Sequence, residues 1–376
     1  MIRRNNSPFS KLGQMSWVMM GCILGLGVIG ILMQYSAAGG SMVPWCQPHL
    51  IRYGMGLILM LLMCIIPLSA YVRFAYPIYA LCVVLLLVVE IGGYVGMGAQ
   101  RWINLGFFNL QPSEFMKLAL ILALARYFHF THVNDLGHPM LLLPPALMIA
   151  VPALLILKQP NLGTATIVSF IAVVVAFMAG VRWYYFAGLI ALVLMAAPIG
   201  WHFMHDYQKQ RVMTFLDPSQ DPLGAGYNIT QSMIAIGSGG FWGKGFLQGS
   251  QGQLDFLPEK QTDFIFTMLA EELGFAGSAV VLILFAGLLG YATALTARPR
   301  ERFASLVAAG LAAMIFAHLF INIAMVMGLV PVVGVPLLFL SFGGSSMLAT
   351  MMGMGLLMNV YIHRDAQLSR NIRAFV

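Results

Sequence analysis

The sequence has 376 residues, 60% of them hydrophobic and only 9% charged, with a formal net charge of +7. A soluble domain carries about a quarter charged residues, so this composition excludes an ordinary water-soluble protein and points to a polytopic membrane protein. The basic balance does not indicate nucleic acid, because the charges lie in short segments between apolar runs, where membrane topology accounts for them.

Ten stretches have roughly the 17–25 residues needed to cross the hydrocarbon core. They are 17–37, 51–70, 73–91, 113–130, 139–157, 163–181, 183–202, 264–293, 303–328 and 339–361. The fold expected is all-α: about ten transmembrane helices forming one integral membrane domain over 1–376, with a long extracytoplasmic loop, 203–263, between helices seven and eight. The start, MIRRNNSPFSKLGQMS, precedes an apolar run that is too long for a cleavable signal peptide and has no small-residue cleavage site. Cys22, Cys64 and Cys82 fall in apolar runs and read as packing residues, and the four cysteines lack metal-ligand spacing.

Orientation follows from the distribution of Lys and Arg. With both termini cytoplasmic, twelve basic residues lie inside (Arg3, Arg4, Lys11, Arg73, Arg126, Arg182, Arg298, Arg300, Arg302, Arg364, Arg370 and Arg373). Seven lie outside (Arg52, Arg101, Lys158, Lys209, Arg211, Lys244 and Lys260), and Lys117 falls within a span. The acids divide the other way. Asp206, Asp217, Asp221, Asp255, Glu259 and Asp263 sit in or beside the long outer loop, so carboxylate chemistry belongs to the outer side.

In chain order, the first informative outer segment is EIGGYVGMGAQRWINLGFFNLQPSEFMKLA, which gathers Glu90, Arg101, Glu114 and Lys117. Pro112 disfavours helix at Gln111. Glu114 and Lys117 are three apart and share a helix face; they form either an internal ion pair or the polar wall of a substrate cavity. Lys158 closes the fifth span on the outer side, against the charge rule, beside the turn QPNLG. It reads as a snorkelling residue or as a contact for an anion.

In the long loop, ITQSMIAIGSGG reads as a short amphipathic helix ended by glycine. GSGGFWGKGF lacks the nucleotide-binding pattern, although a Gly-rich backbone with Lys244 could hold a phosphate. The loop delivers Asp263 to the mouth of an apolar run that also carries Glu271 and Glu272, and acids at such depth are functional candidates. The bland alternative for Asp263 is a helix-start residue satisfying exposed N–H groups. The last outer segment, GLVPVVGVPLLFLSFGGSS, breaks or starts the tenth span, and such irregular backbone must be buried in protein or line a polar cavity. Asn322, and His318 placed above the inner end, read as satisfied core polar groups.

Together these motifs resemble the SEDS family of cell-wall proteins (shape, elongation, division and sporulation), the RodA branch more than the FtsW branch. The passages that carry the resemblance are GAQRWINLG (98–106), QPSEFMKLA (111–119), KQPNLGTA (158–165), the stretch 205–245, FLPEKQTDFIFTMLAEELG (256–274) and PVVGVPLLFLSFGGSS (331–346). The resemblance implies a ten-span peptidoglycan glycosyltransferase of the bacterial cytoplasmic (inner) membrane. Its substrates would be lipid II and the growing glycan strand, with undecaprenyl pyrophosphate as leaving group. The partners implied are a class B penicillin-binding protein transpeptidase and the Mre proteins of the elongation complex. Carried over residue by residue, the essential acid is Asp263. The outer-cavity groups are Arg101, Glu114, Lys117 and Lys158, with Glu271 and Ser345 matching further polar motif positions. A divalent cation could assist, but the sequence holds no dedicated ligand cluster.

The residue types fit that chemistry. An Asp can accept the proton of an attacking sugar hydroxyl, and Lys and Arg can stabilise a departing pyrophosphate. The competing class is transport, as a lipid II flippase or another carrier, which would place polar cavity residues towards both faces and often show repeat symmetry. A membrane scaffold is a third class, and it has no need of buried Asp263, Glu114 and Lys117.

Overall fold

The computed structural model of the protein describes residues 13–96, 99–104, 106, 109–203, 209, 213–215, 217, 224–254, 256–257 and 259–365. Asp206, Arg211, Asp221 and Asp255 of the polar loop therefore lie outside the described residues, as does Pro258. Ten long helices run through the described chain: α1 (Trp17–Ala37), α2 (Cys46–Ile65), α3 (Leu68–Gly92), α4 (Pro112–Phe130), α5 (Pro139–Lys158), α6 (Leu162–Met178), α7 (Trp183–Phe203), then, after the shorter α8 (Ala225–Ser238), α9 (Ile265–Ala294), α10 (Arg302–Val326) and α11 (Gly344–Ile362). Seven of them, α1–α3, α5 and α9–α11, are long and apolar enough to cross a membrane; α6 and the Trp183–Ala196 part of α7 are shorter apolar helices. The remaining one, α4, carries Glu114, Lys117 and Arg126 yet is buried along nearly its whole length. Protein, rather than lipid, surrounds its charges.

The helices sort into a centre and a periphery. Only 17% of the apolar window of α5 is buried, against 72% in α10 and α11. The peripheral helices turn Leu, Val and Ile outward, which suits a hydrocarbon solvent. The central ones interlock through small residues, because association in lipid rests on close packing rather than on the hydrophobic effect. A Cβ at Gly310 would come within 2.9 Å of Ile121, and one at Gly355 within 2.5 Å of the Met60 carbonyl. Accordingly α10 packs on α4 and α6, and α11 lies along α2.

Two helices begin earlier than the hydropathy suggests. α2 starts at Cys46 and α3 at Leu68, each five residues ahead of the expected span. Gln47, Pro48 and His49 dilute the apolar signal at the start of the first, while Pro67, at the N-cap of α3, sets the second boundary. α11 starts later, at Gly344, leaving 331–343 irregular, with its centre buried: Val335 and Leu337–Leu340 are at 2% exposure or less. A small antiparallel ribbon of β1 (Tyr94–Gly96), β2 (Ala99–Asn104) and β3 (Asn109–Leu110) precedes α4, with Val95 paired to Gln100 and Ile103 to Leu110. Hydropathy did not anticipate it, because these strands are too short and polar to register as apolar segments.

At the end of the bundle opposite Asp263, polar side chains satisfy helix backbone. Arg302 donates to the carbonyls of Thr131 and Ala179, each at 2.6 Å, joining the C-termini of α4 and α6. Cations are favourable at helix C-termini. Arg126 donates to the carbonyls of Val72 and Arg73 at 2.9 Å. The Arg73 carbonyl lacks its helical N–H donor, because the residue four positions on is Pro77.

Candidate active site

Asp263 lies in the turn 259–264 that leads into α9 and is partly exposed. The N-cap position of α9 is Phe264, so Asp263 stands one residue before the cap. A Cβ at residue 334 would sit 3.4 Å from the Asp263 Oδ2, and Gly334 itself has a φ of 69°. Glycine therefore both permits that turn and leaves room beside the carboxylate.

The backbone under Asp263 is fixed by groups from elsewhere in the chain. Gln34 of α1 donates to the Gln261 carbonyl at 2.9 Å and to Leu340 at 2.8 Å. Ser341 donates to the Thr262 carbonyl at 2.6 Å and accepts from the Leu337 amide at 2.8 Å. Asn322 of α10 donates to the Asp263 carbonyl at 2.9 Å and to Val335 at 2.8 Å. The Phe342 amide adds a 2.8 Å bond to Gln261. His49 reaches the Phe339 carbonyl at 3.2 Å. Irregular backbone at membrane depth is tolerated only when its groups find such partners.

Glu114 and Lys117 form a buried ion pair at 2.9 Å, and Lys117 also meets His318 Nε2 at 2.7 Å. The ammonium can only donate, so His318 Nε2 accepts and its Nδ1–H donates to the Pro336 carbonyl at 3.0 Å. This corrects the placement of His318: it lies towards the Asp263 end, where it links α4 to the loop 331–343. The two charges share a helix face as their spacing requires.

Arg101, on β2, donates to the carbonyls of Gln159 (2.9 Å) and Pro160, so the ribbon is tied to the turn between α5 and α6. Lys158, immediately before that turn, is exposed. Ser345 is buried at the start of α11; it accepts from the Gln111 amide and donates to the Asn109 carbonyl, both at 2.9 Å, joining α11 to the entry of α4.

Lys244 and Glu271 are brought to each other, at 2.7 Å. Glu271 also accepts from Ser250 at 3.1 Å, and from the amides of Gln251 (3.0 Å) and Gly252 (3.3 Å). The Lys244 and Gly245 amides donate to the carbonyls of Glu271 and Glu272, each at 3.0 Å. The Gly-rich loop thus grips a break in α9 at Gly274, where φ is 63°, and the backbones touch so closely that a Cβ at Gly243 would fall 2.1 Å from the Glu272 carbonyl. In this arrangement the loop's amides and its lysine hold α9 rather than a phosphate. The amphipathic segment before it is α8, which packs on α9 and α10 through Ser232, bonded to Thr267 at 2.7 Å and to the Val326 carbonyl at 2.8 Å.

The sequence reading overlooked Gln34, His49 and Ser341. A lone glutamine inside an apolar run was an available signal, and Ser341 lies in the irregular segment before α11 without a mark of its own; His49, outside the apolar runs, had none. Among the described residues, no group of three or more His, Cys, Asp or Glu is arranged to hold a metal ion.

The family model described as cell cycle protein, FtsW/RodA/SpoVE, matches residues 14–366. The peptidoglycan glycosyltransferase MrdB of Escherichia coli K12 is 42% identical over 371 residues, covering 98% of this chain and 99% of its own. Stage V sporulation protein E of Bacillus subtilis is 36% identical over 88% of this chain and 93% of its own. Among solved structures, a chain from a study of how a peptidoglycan synthase complex coordinates polymerization and crosslinking superposes with a TM-score of 0.82 at 31% identity, covering 94% of this chain and 99% of that one. The crystal structure of the rod shape determining protein RodA of Thermus thermophilus gives 0.71 at 28% identity, covering 94% and 98%. With its ten long helices, its buried α4 and its broken loop before α11, the chain belongs to the FtsW/RodA/SpoVE family.

Proposed function

We infer that this chain is a peptidoglycan glycosyltransferase of the inner membrane that joins lipid II units into glycan strands. Its family and its likeness to MrdB over nearly the whole length support that activity. The observation that carries the mechanism is Asp263, a partly exposed carboxylate at the mouth of an apolar bundle, on a turn with a fixed backbone. In the step assigned to it, a sugar hydroxyl of one substrate attacks the anomeric carbon of the other. The new C–O bond forms as the bond to pyrophosphate breaks, the hydroxyl proton passes to Asp263, and undecaprenyl pyrophosphate leaves. The substrate's lipid tail stays in the bilayer while its head enters from the outer side, where the basic bias places the loop 203–263.

The supporting roles are graded by geometry. Lys158, exposed beside the Arg101-anchored turn, is assigned to the pyrophosphate. Glu114, Lys117 and Ser345 line and brace the same end of the bundle, and Arg101 holds the ribbon over it. Lys244 and Glu271 act as a latch that shapes the outer loop. A class B transpeptidase and the Mre proteins are the partners that fit a strand-elongating enzyme of this family. No observation favours a carrier: among the described residues, Arg126 and Arg302 at the opposite end cap backbone carbonyls.

The test is polymerisation of labelled lipid II by the purified full-length protein in proteoliposomes, with and without a class B transpeptidase. Long uncrosslinked glycan is the expected product. Folded protein that moves lipid II across the bilayer and makes no polymer in either condition would contradict the reading.

A further inference from the structure

Three buried side chains that the reaction does not touch converge on three successive carbonyls: Gln34 on Gln261, Ser341 on Thr262 and Asn322 on Asp263. They come from the first helix, the loop before α11 and α10, separated by up to 307 positions in sequence. Each also bonds the loop 335–340, at Leu340, Leu337 and Val335. We propose that Gln34 and Asn322 are positioning residues: their carboxamides rivet the turn carrying Asp263 to the buried loop and so set where the carboxylate stands. The proposal rests on the reading of Asp263 as the base.

Gln34 and Asn322 are both fully buried, at 0% exposure. In both amides the two N–H groups bridge one carbonyl of the Asp263 turn and one of the loop, while the amide oxygens, Gln34 Oε1 and Asn322 Oδ1, find no partner among the described residues. A buried polar atom left unpaired is costly, so the sites are arranged around the donors. A carboxamide is the neutral side chain that offers two donors from a single nitrogen. The turn between them lacks regular structure, and beside these two carboxamides it is tied to the loop by Ser341 at Thr262 and by the Phe342 amide at Gln261; the carboxamides alone reach it from helices outside that loop. Loss of either bridge frees the turn by fractions of an ångström to an ångström, and displacements of that size can lower a rate about 100-fold without touching the substrate.

The fold contains its own control. Asn359, equally buried, donates from its Nδ2 to the carbonyls of Met63, Cys64 and Ile66 at the far end of the bundle, and its Oδ1 likewise finds no partner among the described residues. It is the same device without a catalytic neighbour. Any effect of removing a buried amide on folding alone should appear at Asn359 as much as at Asn322.

The experiment measures kcat and KM for glycan polymerisation from lipid II, per folded protein, in Asn322→Leu, Gln34→Met, Asn359→Leu and Asp263→Asn. The first two are expected to lose about 10- to 100-fold in kcat with KM changed less than about threefold. Asn359→Leu should lower the thermal midpoint and keep the parental kcat. Asp263→Asn should fall furthest, by about 10²- to 10⁴-fold in kcat. If Asp263→Asn falls that far while Asn322→Leu and Gln34→Met keep the parental kcat, the positioning role is wrong and the base stands. If Asp263→Asn keeps the parental kcat, both fall. Equal kcat losses at Asn322 and Asn359 would also overturn the proposal, as would failure to recover either Asn322→Leu or Gln34→Met folded, since that would assign the amides to folding.

Discussion

The two ends of the bundle handle polar groups in opposite ways. At the Arg302 end the cations bond backbone carbonyls, Arg302 those of Thr131 and Ala179 and Arg126 those of Val72 and Arg73. Helices there stop in regular fashion, and the side chains repair their ends. At the Asp263 end the carboxylates gather, thirteen residues before α11 are irregular, and polar groups from α1, α2 and α10 support that stretch. Keeping disordered-looking backbone in a membrane requires many dedicated partners. One end is built to close the bundle and the other to hold an opening in fixed shape.

The largest expected effect comes from breaking the buried pair at the Asp263 end. Glu114→Gln or Lys117→Met alone leaves one charge uncompensated, at about 3–5 kcal/mol. Thermal unfolding should show both singles well below the parent, with the double variant recovering part of the loss. Single variants as stable as the parent would mean that this end is not braced by the pair.

The latch comes next. Lys244→Met removes a charge-assisted bond from Glu271 but leaves the acceptor its backbone amides, so about 1.5–3 kcal/mol is expected. The loss should concentrate in the loop, seen as faster hydrogen exchange over 239–253 with α10 unchanged. Uniform acceleration across the bundle would contradict the local role. Lys158→Met should barely move the thermal midpoint, because the side chain is exposed. It should raise KM for lipid II about tenfold, equivalent to about 1.4 kcal/mol. An unchanged KM would leave Lys158 as an interfacial snorkelling residue.

Much of this was legible because membrane insertion leaves a strong record. Ten apolar stretches found ten helices, several within a residue of their observed ends, since the bilayer imposes length and apolarity together. Asp263, Glu114 and Lys117 stood out because charge near lipid demands an explanation. What the residues could not reveal was partnership. The choice of His318 for Lys117, or of Glu271 for Lys244, depends on how helices distant in sequence pack. The ribbon at 94–110 and the amide bridges from Gln34 and Asn322 were hidden for the same reason: their meaning lies in backbone that no periodicity describes.

The central claim is that Asp263 takes the proton of the attacking hydroxyl. Asp263→Asn keeps the size and an oxygen acceptor and removes the base. Its turnover of lipid II into glycan, measured on protein with the parental unfolding midpoint, tests that claim directly. The account predicts a fall of about 10²- to 10⁴-fold in kcat with lipid II binding retained; polymerisation at the parental rate would contradict it.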